Sequence, residues 1–446
     1  MAAFNAVFVG AIGVVKFKTT PLWWDDGLPV ALSNHELPKR TDVVVIGGGF
    51  AGLTAALDLQ RAGTQVVLID KHWPGYGACS RNLGLVVERV DGTTTGELNA
   101  ELHGVPRHEL IAEGQRAYDF VLDLVEREQI DCGLRKRGKL VLATTKSAFN
   151  KMAEYLQRHE KVFGANETYM VSRSDLKQEI GGQADEQYVG GKVLPNHCDL
   201  NPGQLTAGLV RALASSGAPI CTETECLSMD RQAGGQFRLK TNKGEIVAEQ
   251  VVVTTQGYSG TGSGALRRQI FPFLAHVVAT EPLGAELMRE LLPTLRSAID
   301  TKQMFFNFRP CDQEQRLLLA SNYLRRDSDD VQARRILKSY ERLFPQLNRV
   351  AAEYCWHGNL ALTADGIPHV GEDNGIHYCA AGSFSMALYL GSKIASRILK
   401  FDDAQSVLDH IALPNFPLYN GKPALHYALM RLVFNALDVA KIAAPK

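Results

Sequence analysis

Residues 42–70 constrain the fold more than any other stretch of the chain. Val43-Val44-Val45-Ile46 is an uninterrupted apolar run, the pattern of a strand buried on both faces of a parallel sheet. Gly47-x-Gly49-x-x-Gly52 follows it. A helical segment with Leu53, Ala56 and Leu57 on one face then runs to Ala62-Gly63, and a second apolar run, Val66 to Ile69, is closed by Asp70. Strand, glycine turn, helix and strand within 29 residues make one βαβ unit.

Each glycine of the turn has its own task. Gly47 permits the tight turn, Gly49 lets the backbone approach a pyrophosphate, and Gly52 lets helix and strand pack closely. The phosphate then meets the helix N-terminus, where unpaired N–H groups and the macrodipole favour negative charge. Asp70 comes 18 residues beyond Gly52, placed to accept hydrogen bonds from an adenosine ribose. This context calls for a dinucleotide without choosing between NAD and FAD. The next segment, Pro74 to Gly84, is too glycine-rich and polar for a helix or strand, and it falls where a flavin would extend; a nicotinamide enzyme normally continues its βαβ alternation there. Arg81 and Asn82 in that loop are suited to phosphate oxygens or the polar edge of the ring.

Composition narrows the partner. The 48 basic and 48 acidic residues among 446 cancel, which argues against a broad electrostatic grip on nucleic acid or anionic lipid and for a small-molecule target. Eight cysteines are scattered without a C-x-x-C or a Cys/His cluster at zinc spacing. No metal site and no disulfide framework is therefore expected, and the thiols read as reduced and intracellular. The apolar stretch Ala2 to Val15 holds 14 residues, too few to cross a bilayer, and its positive charges, Lys16 and Lys18, follow the run instead of preceding it as in a secretory signal. It reads as a packed or loosely ordered extension.

Further along, Glu109–Asp131 and Ser147–Phe163 read as helices with a strand, Leu140 to Ala143, between them. Gln250 to Thr255 is another buried strand; His276 to Thr280, Phe305 to Phe308 and Leu317 to Ala320 are short β-like runs. His377 to Ala380, Gly382 and a helix through Leu390, Ile394 and Ile398 repeat the strand, glycine, helix order. The simplest architecture is α/β plus α+β: a Rossmann-type dinucleotide domain built from discontinuous segments, with an inserted mixed-sheet domain flanking one cleft.

These residues resemble the D-amino-acid oxidase-like FAD-dependent oxidoreductases, and most closely the gamma-glutamylputrescine oxidase-like branch. The resemblance is carried by Trp23-Trp24-Asp25-Asp26, Gly75-Tyr76-Gly77-Ala78 with Arg81-Asn82, Asn201-Pro202-Gly203 and Val253 to Tyr258. It continues in Ala279-Thr280-Glu281-Pro282-Leu283, Trp356-x-Gly358, and Thr363-x-Asp365-Gly366-x-Pro368-His369-x-Gly371. It implies a glutathione-reductase-like FAD-binding domain over residues 38–108, 195–263 and 355–405, and a substrate domain over 109–194 and 264–354. An extension (1–37) and a tail with an amphipathic helix (406–446) flank them. Residues implied to hold FAD are Gly47, Gly49, Gly52, Asp70, Lys71, Ala78, Arg81, Asn82, Cys226, Gly257, Gly358, Gly382 and Ser383. His369 and Arg309 are the implied catalytic candidates, Arg309 as a bidentate anchor for a carboxylate.

The chain departs from the branch in two places. Gly382-Ser383-Phe384-Ser385-Met386-Ala387 stands where a Ser-Gly-His-Gly-like turn is usual. Relatives that attach flavin covalently use a Cys near the place of Gly358, from which Cys355 is three residues off, or a His at the place of Arg81. FAD is therefore expected to be non-covalent. The implied activity is oxidation of the C–N bond of a small amine or amino acid by hydride transfer to flavin, with an imine and then a carbonyl product. The alternatives are oxidation of a 2-hydroxy acid or other C–O substrate, and an electron-relay flavoprotein. The electron acceptor is O2, a quinone or a carrier; Leu318 occupies the place where oxidases of the sarcosine type carry a Lys that assists oxygen reduction. In the tail, Leu425, Leu429, Val433 and Leu437 recur at helical spacing. This stripe reads first as packing on its own protein, with an oligomer, membrane-surface or electron-acceptor contact as the alternative. The expected location is cytoplasmic, with peripheral attachment to the inner face of a membrane as a variant.

Overall fold

The computed structural model describes residues 6–7, 16–32, 35–88, 103–163, 167–311, 315–322, 327–380 and 383–443. Gly382 and most of the apolar run from Ala2 to Val15 lie outside them.

Two large sheets organise the molecule. The first runs in the order Ile220–Cys221, Val66–Ile69, Arg40–Ile46, Gly244–Val253, Phe237–Thr241, Cys226–Arg231, and Ile376–Ala380 and His369–Asp373 join it beside Gly244–Val253. Its central pairings are parallel, Val43 to Ile46 with Val66 to Ile69 on one side and with Gln250 to Val253 on the other. Ile376 to Tyr378 extends the parallel set. Such strands are buried on both faces, which is why their sequences read as unbroken Val/Ile runs.

The second sheet runs Ala352–Leu362, Phe271–Thr280, Arg316–Ser321, Phe306–Cys311, Ser297–Asp300, Lys139–Ala143, Gly190–Leu194, Tyr169–Ser172. It is antiparallel except where Ser297–Asp300 runs alongside Lys139–Ala143. Two borders differ from the expected division. Strand Ala352–Leu362 pairs along its whole length with Phe271–Thr280, so it belongs to the second sheet. Helix Arg107–Arg127 places Leu110, Ala117, Tyr118, Val121 and Leu124 in the core beneath the first sheet. Periodicity locates a helix or strand without saying which sheet it joins.

Helices Phe50–Arg61 and Phe384–Leu399 cover one face of the first sheet and touch each other closely. A Cβ at Gly391 would stand 2.2 Å from both the Ala51 carbonyl and Thr54 Oγ1, and Thr54 donates to the Leu388 carbonyl at 3.0 Å. The segment Leu22–Trp24 packs against the second sheet instead of extending from the molecule. Trp23 is fully buried against Trp356, with ring centroids 6.5 Å apart, in a cluster with Leu22, Leu83, Val277 and Leu318.

The tail helix Ala424–Ala443 docks by a different face from the one the spacing suggested. Tyr427, Met430 and Phe434 pack with Phe271 and Phe273, and Asp438 accepts from the Gln303 and Met304 N–H groups at 2.8 and 3.1 Å. Leu425, Leu429, Val433 and Leu437 are exposed. The helix carries two apolar stripes, and the aromatic one finds the complementary surface. Among the described residues, no helix is long and apolar enough to cross a membrane.

Candidate active-site cleft

The glycine turn sits at the C-terminal ends of the parallel strands, the usual place for a ligand in an open α/β sheet. Gly47 has a φ of +106°, in the left-handed region, and its N–H donates to the Ile69 carbonyl at 2.9 Å. A Cβ at Gly52 would stand 1.9 Å from the Gly47 carbonyl oxygen, so any side chain there would push the helix off the turn. Gly49 is the opposite case: a Cβ there would meet no protein atom within 4 Å. The helix that follows starts at Gly49 with no side-chain cap, which leaves its first N–H groups facing the cleft. Thr254 Oγ1 donates to the carbonyls of Ile46 and Gly47 at 3.1 and 2.9 Å and ties the turn to the neighbouring strand.

Asp70 closes this end. Its carboxylate accepts from the Gly48 N–H at 2.7 Å and the His72 N–H at 2.8 Å. Burial pushes its carboxyl above the ordinary range against the pull of those two donors. Open backbone at Gly49, an uncapped helix start and a half-buried acid together fit a dinucleotide: phosphate at the helix, ribose at Asp70.

The cleft, of about 160 Å³, extends from Gly47, Gly49, Asp70 and Lys71 past Ala78, Cys79 and Asn82 to Tyr258, Asn359, Leu360, Ser383 and Phe384. Both sheets therefore contribute walls. The Tyr258 hydroxyl accepts from the Asn359 N–H at 3.1 Å. A Cβ at Gly257 would stand 2.7 Å from the Leu360 carbonyl, so this glycine permits the turn to touch the second sheet. Ser383 caps helix Phe384–Leu399 by accepting from the Met386 N–H at 3.2 Å, and this second helix start also faces the cleft.

Arg81, Gly358 and Cys226, named from the sequence, stand around the cleft without lining it. Arg81 is clamped between the rings of Trp24 and Tyr76, 4.5 and 4.6 Å from their centroids. It donates to the carbonyls of Tyr76 and His357 at 2.8 and 3.1 Å, joining the loop to the second sheet. Gly358 makes room for it, since a Cβ there would lie 3.2 Å from Arg81 Cβ. The indoles of Trp23 and Trp356 hold the same loop by donating to the Asn82 and Arg81 carbonyls, both at 2.9 Å. Asn82 lines the cleft while its side chain braces the turn, donating to Ala78 and Cys79 and accepting from Gly84. Cys226 is buried beside Gly262, away from the cleft lining, and burial pushes its thiol up to about 11.

The two catalytic candidates lie off the cleft. His369 is fully buried, with Nδ1 3.1 Å from the Ile411 carbonyl and Nε2 3.0 Å from Asp365. Those contacts anchor the segment that follows helix Phe384–Leu399. Arg309 is buried 3.0 Å from the Asp199 carboxylate and 5.3 Å from the Trp23 ring, facing a separate small pocket of about 20 Å³ that Arg135 and Arg137 also line. Cys355, considered for covalent attachment, is buried in the second sheet's own core. Cys79 does line the cleft, and burial pushes its thiol up to about 12.

The sequence reading missed Thr254 as the tie to the turn, and Asn359 and Phe384 as cleft walls. The first was legible as the polar residue ending a buried strand. The others depend on which strand faces the cleft.

Comparison with known proteins agrees with this geometry. The chain is 26% identical to gamma-glutamylputrescine oxidoreductase of Escherichia coli over 406 residues, 90% of this chain and 91% of that protein. It is 27% identical to the Haemophilus influenzae protein named "Probable oxidoreductase OrdL" over 394 residues, 86% and 88% of the two chains. Glycine oxidase from Geobacillus kaustophilus superposes with a TM-score of 0.70 at 19% identity, covering 84% of this chain and 99% of that one. The family model for FAD dependent oxidoreductases of the DAO type matches residues 42–397, from the first buried strand to the end of the second cleft helix. The chain belongs to that family, and its cofactor is FAD.

Proposed function

We propose that the protein uses non-covalently held FAD to oxidise the C–N bond of a small amine or amino acid. The observation that carries this reading is the single cleft joining the Gly49–Asp70 dinucleotide cradle to a wall from the second sheet. The amine class rests on gamma-glutamylputrescine oxidoreductase, a relative matched over nine-tenths of this chain. FAD, when bound, supplies the two-electron acceptor.

The chain's own residues bind and position. Asp70 takes the ribose hydroxyls, and the starts of the two cleft helices, at Gly49 and Ser383, receive negative charge. Leu360, Ala361 and Phe384 exclude water from the far end of the cleft. The Tyr258 hydroxyl, fixed by the Asn359 N–H and kept protonated by burial, has its proton free to orient a substrate lone pair. Among the described residues lining the cleft the only imidazole is His72, beside Asp70, where burial favours its neutral form. No protein base is assigned to the amine, which reacts as the neutral species. Leu318 is fully buried and pairs with Arg309, whose charge is held by Asp199. Among the described residues lining the cleft, Lys71 beside Asp70 is the only lysine or arginine, so with no cation at the far end to stabilise superoxide a quinone or artificial acceptor is expected to support turnover several-fold faster than dioxygen.

Mixing the purified protein anaerobically with amines, amino acids and 2-hydroxy acids and following loss of the oxidised flavin band tests the assignment. Bleaching by an amine or amino acid supports it. Bleaching by hydroxy acids alone overturns it in favour of C–O oxidation, and no bleaching by any member of the panel overturns it in favour of electron relay.

A further inference from the structure

Outside the cleft, the fold assembles three potential metal ligands that are remote in sequence. His276 and His357 stand directly opposite each other on paired strands of the second sheet, with ring centroids 5.5 Å apart. Asp329 is the first residue of helix Asp329–Tyr340, and its Oδ1 lies 3.1 Å from His357 Nδ1. One ligand atom from each residue lies within 4.8 Å of the others.

We propose that His276, Asp329 and His357 bind one divalent ion of the zinc class, which ties the start of helix Asp329–Tyr340 to the Phe271–Thr280 and Ala352–Leu362 strands. Two imidazoles and a carboxylate, with a fourth position left to water, form a donor set suited to zinc, nickel or copper and poorly suited to magnesium or calcium. Metal–nitrogen bonds of ~2.0–2.1 Å put the ligand atoms of a tetrahedral ion roughly 3.4 Å apart, so closure needs side-chain shifts on the order of 1 Å.

A plain ion pair at a helix start accounts for Asp329 and His357 alone. It leaves His276 unexplained. That imidazole is 3% exposed and lies tilted against the His357 ring, outside the ion pair. Arg335, a cation on the same helix as Asp329, is engaged by Asp327 at 2.8 Å. The site touches the cleft only through backbone: the His357 carbonyl accepts from Arg81, and Asn359 is two residues further along the strand.

The test is equilibrium dialysis of the full-length, chelator-treated holoprotein against zinc chloride, with metal measured by elemental analysis. One equivalent with a Kd below ~10 μM is expected, weakened at least ~10-fold by His276→Gln and by His357→Gln. His357 is half-exposed, so His357→Gln is expected to keep wild-type flavin content and chelator-state Tm and decides the matter if His276→Gln does not fold. Absence of saturable binding up to ~100 μM, or wild-type affinity in His357→Gln, overturns the proposal.

Discussion

The two sheets differ in how their functional residues are assembled. In the first, strand, turn, helix and acid follow one another within residues 42–70, and the turn is shaped by near neighbours such as Gly47 and Gly52, with Thr254 tying it from a distant strand. In the second, each notable constellation joins distant segments: Arg309 with Asp199, His276 with Asp329 and His357, Asn359 with Tyr258. The first sheet's site can be disrupted at one residue with local consequences. The second sheet's residues act through pairing, so their substitution tests packing before chemistry.

The sharpest contrast lies inside the turn itself. Gly52→Ala drives a Cβ into the Gly47 carbonyl and is expected to cost about 3 kcal/mol of stability and to yield colourless protein. Gly49→Ala meets no protein atom, so its Tm is expected to shift by no more than the equivalent of ~0.5 kcal/mol while FAD affinity falls, because the methyl group occupies the cradle. Thermal unfolding and FAD titration of both variants check the pair; equal Tm losses would show that the Gly49 space is not a ligand cradle.

Asp70→Ala is expected to weaken FAD binding by on the order of 1–3 kcal/mol, the worth of hydrogen bonds to a charged group. The wild type carries a pH signature as well. Asp70 in the free protein ionises above the ordinary range, and the ribose contacts favour the carboxylate. FAD affinity should therefore be complete at higher pH and decline on acidification, starting at a pH above the ~3.9 of an ordinary Asp. FAD titrations across that range in wild type and Asp70→Asn check it; the same slope in both would remove Asp70 from the ribose site.

What was legible follows the same division. The glycine turn, Asp70 and the three helices at Arg107–Arg127, Lys146–Phe163 and Phe384–Leu399 could be read because local spacing encodes them. The sequence reading gives Arg81 to phosphate oxygens or the edge of the ring, because its clamp between Trp24 and Tyr76 depends on where the N-terminal segment folds back. His369 is a catalytic candidate by resemblance, yet only the fold shows Asp365 and the returning Ile411 carbonyl facing its two ring nitrogens. The tail's leucine stripe was a real periodicity on the wrong face, because Phe271 and Phe273, more than 150 residues upstream, select the aromatic stripe.

His369→Leu removes the bonds to Ile411 and Asp365 and is expected to cost about 1–2 kcal/mol in thermal unfolding while leaving the anaerobic flavin-reduction rate within threefold. A large rate loss at unchanged Tm would return His369 to the chemistry. Leu429→Ser, on the exposed face of the tail helix, is expected to change stability by less than ~0.5 kcal/mol, measured by denaturant titration. A larger loss would mean that this face is covered in solution.

The central claim, that a neutral amine gives up its electrons in the Asp70–Leu360 cleft without a protein base, is tested most directly by the limiting rate of anaerobic flavin reduction as a function of pH. With a good amine substrate the rate is expected to rise by about tenfold per pH unit from neutrality toward ~9–10, where the amine itself loses its proton. A rate flat across that range, matched by a 2-hydroxy acid as donor, would contradict it.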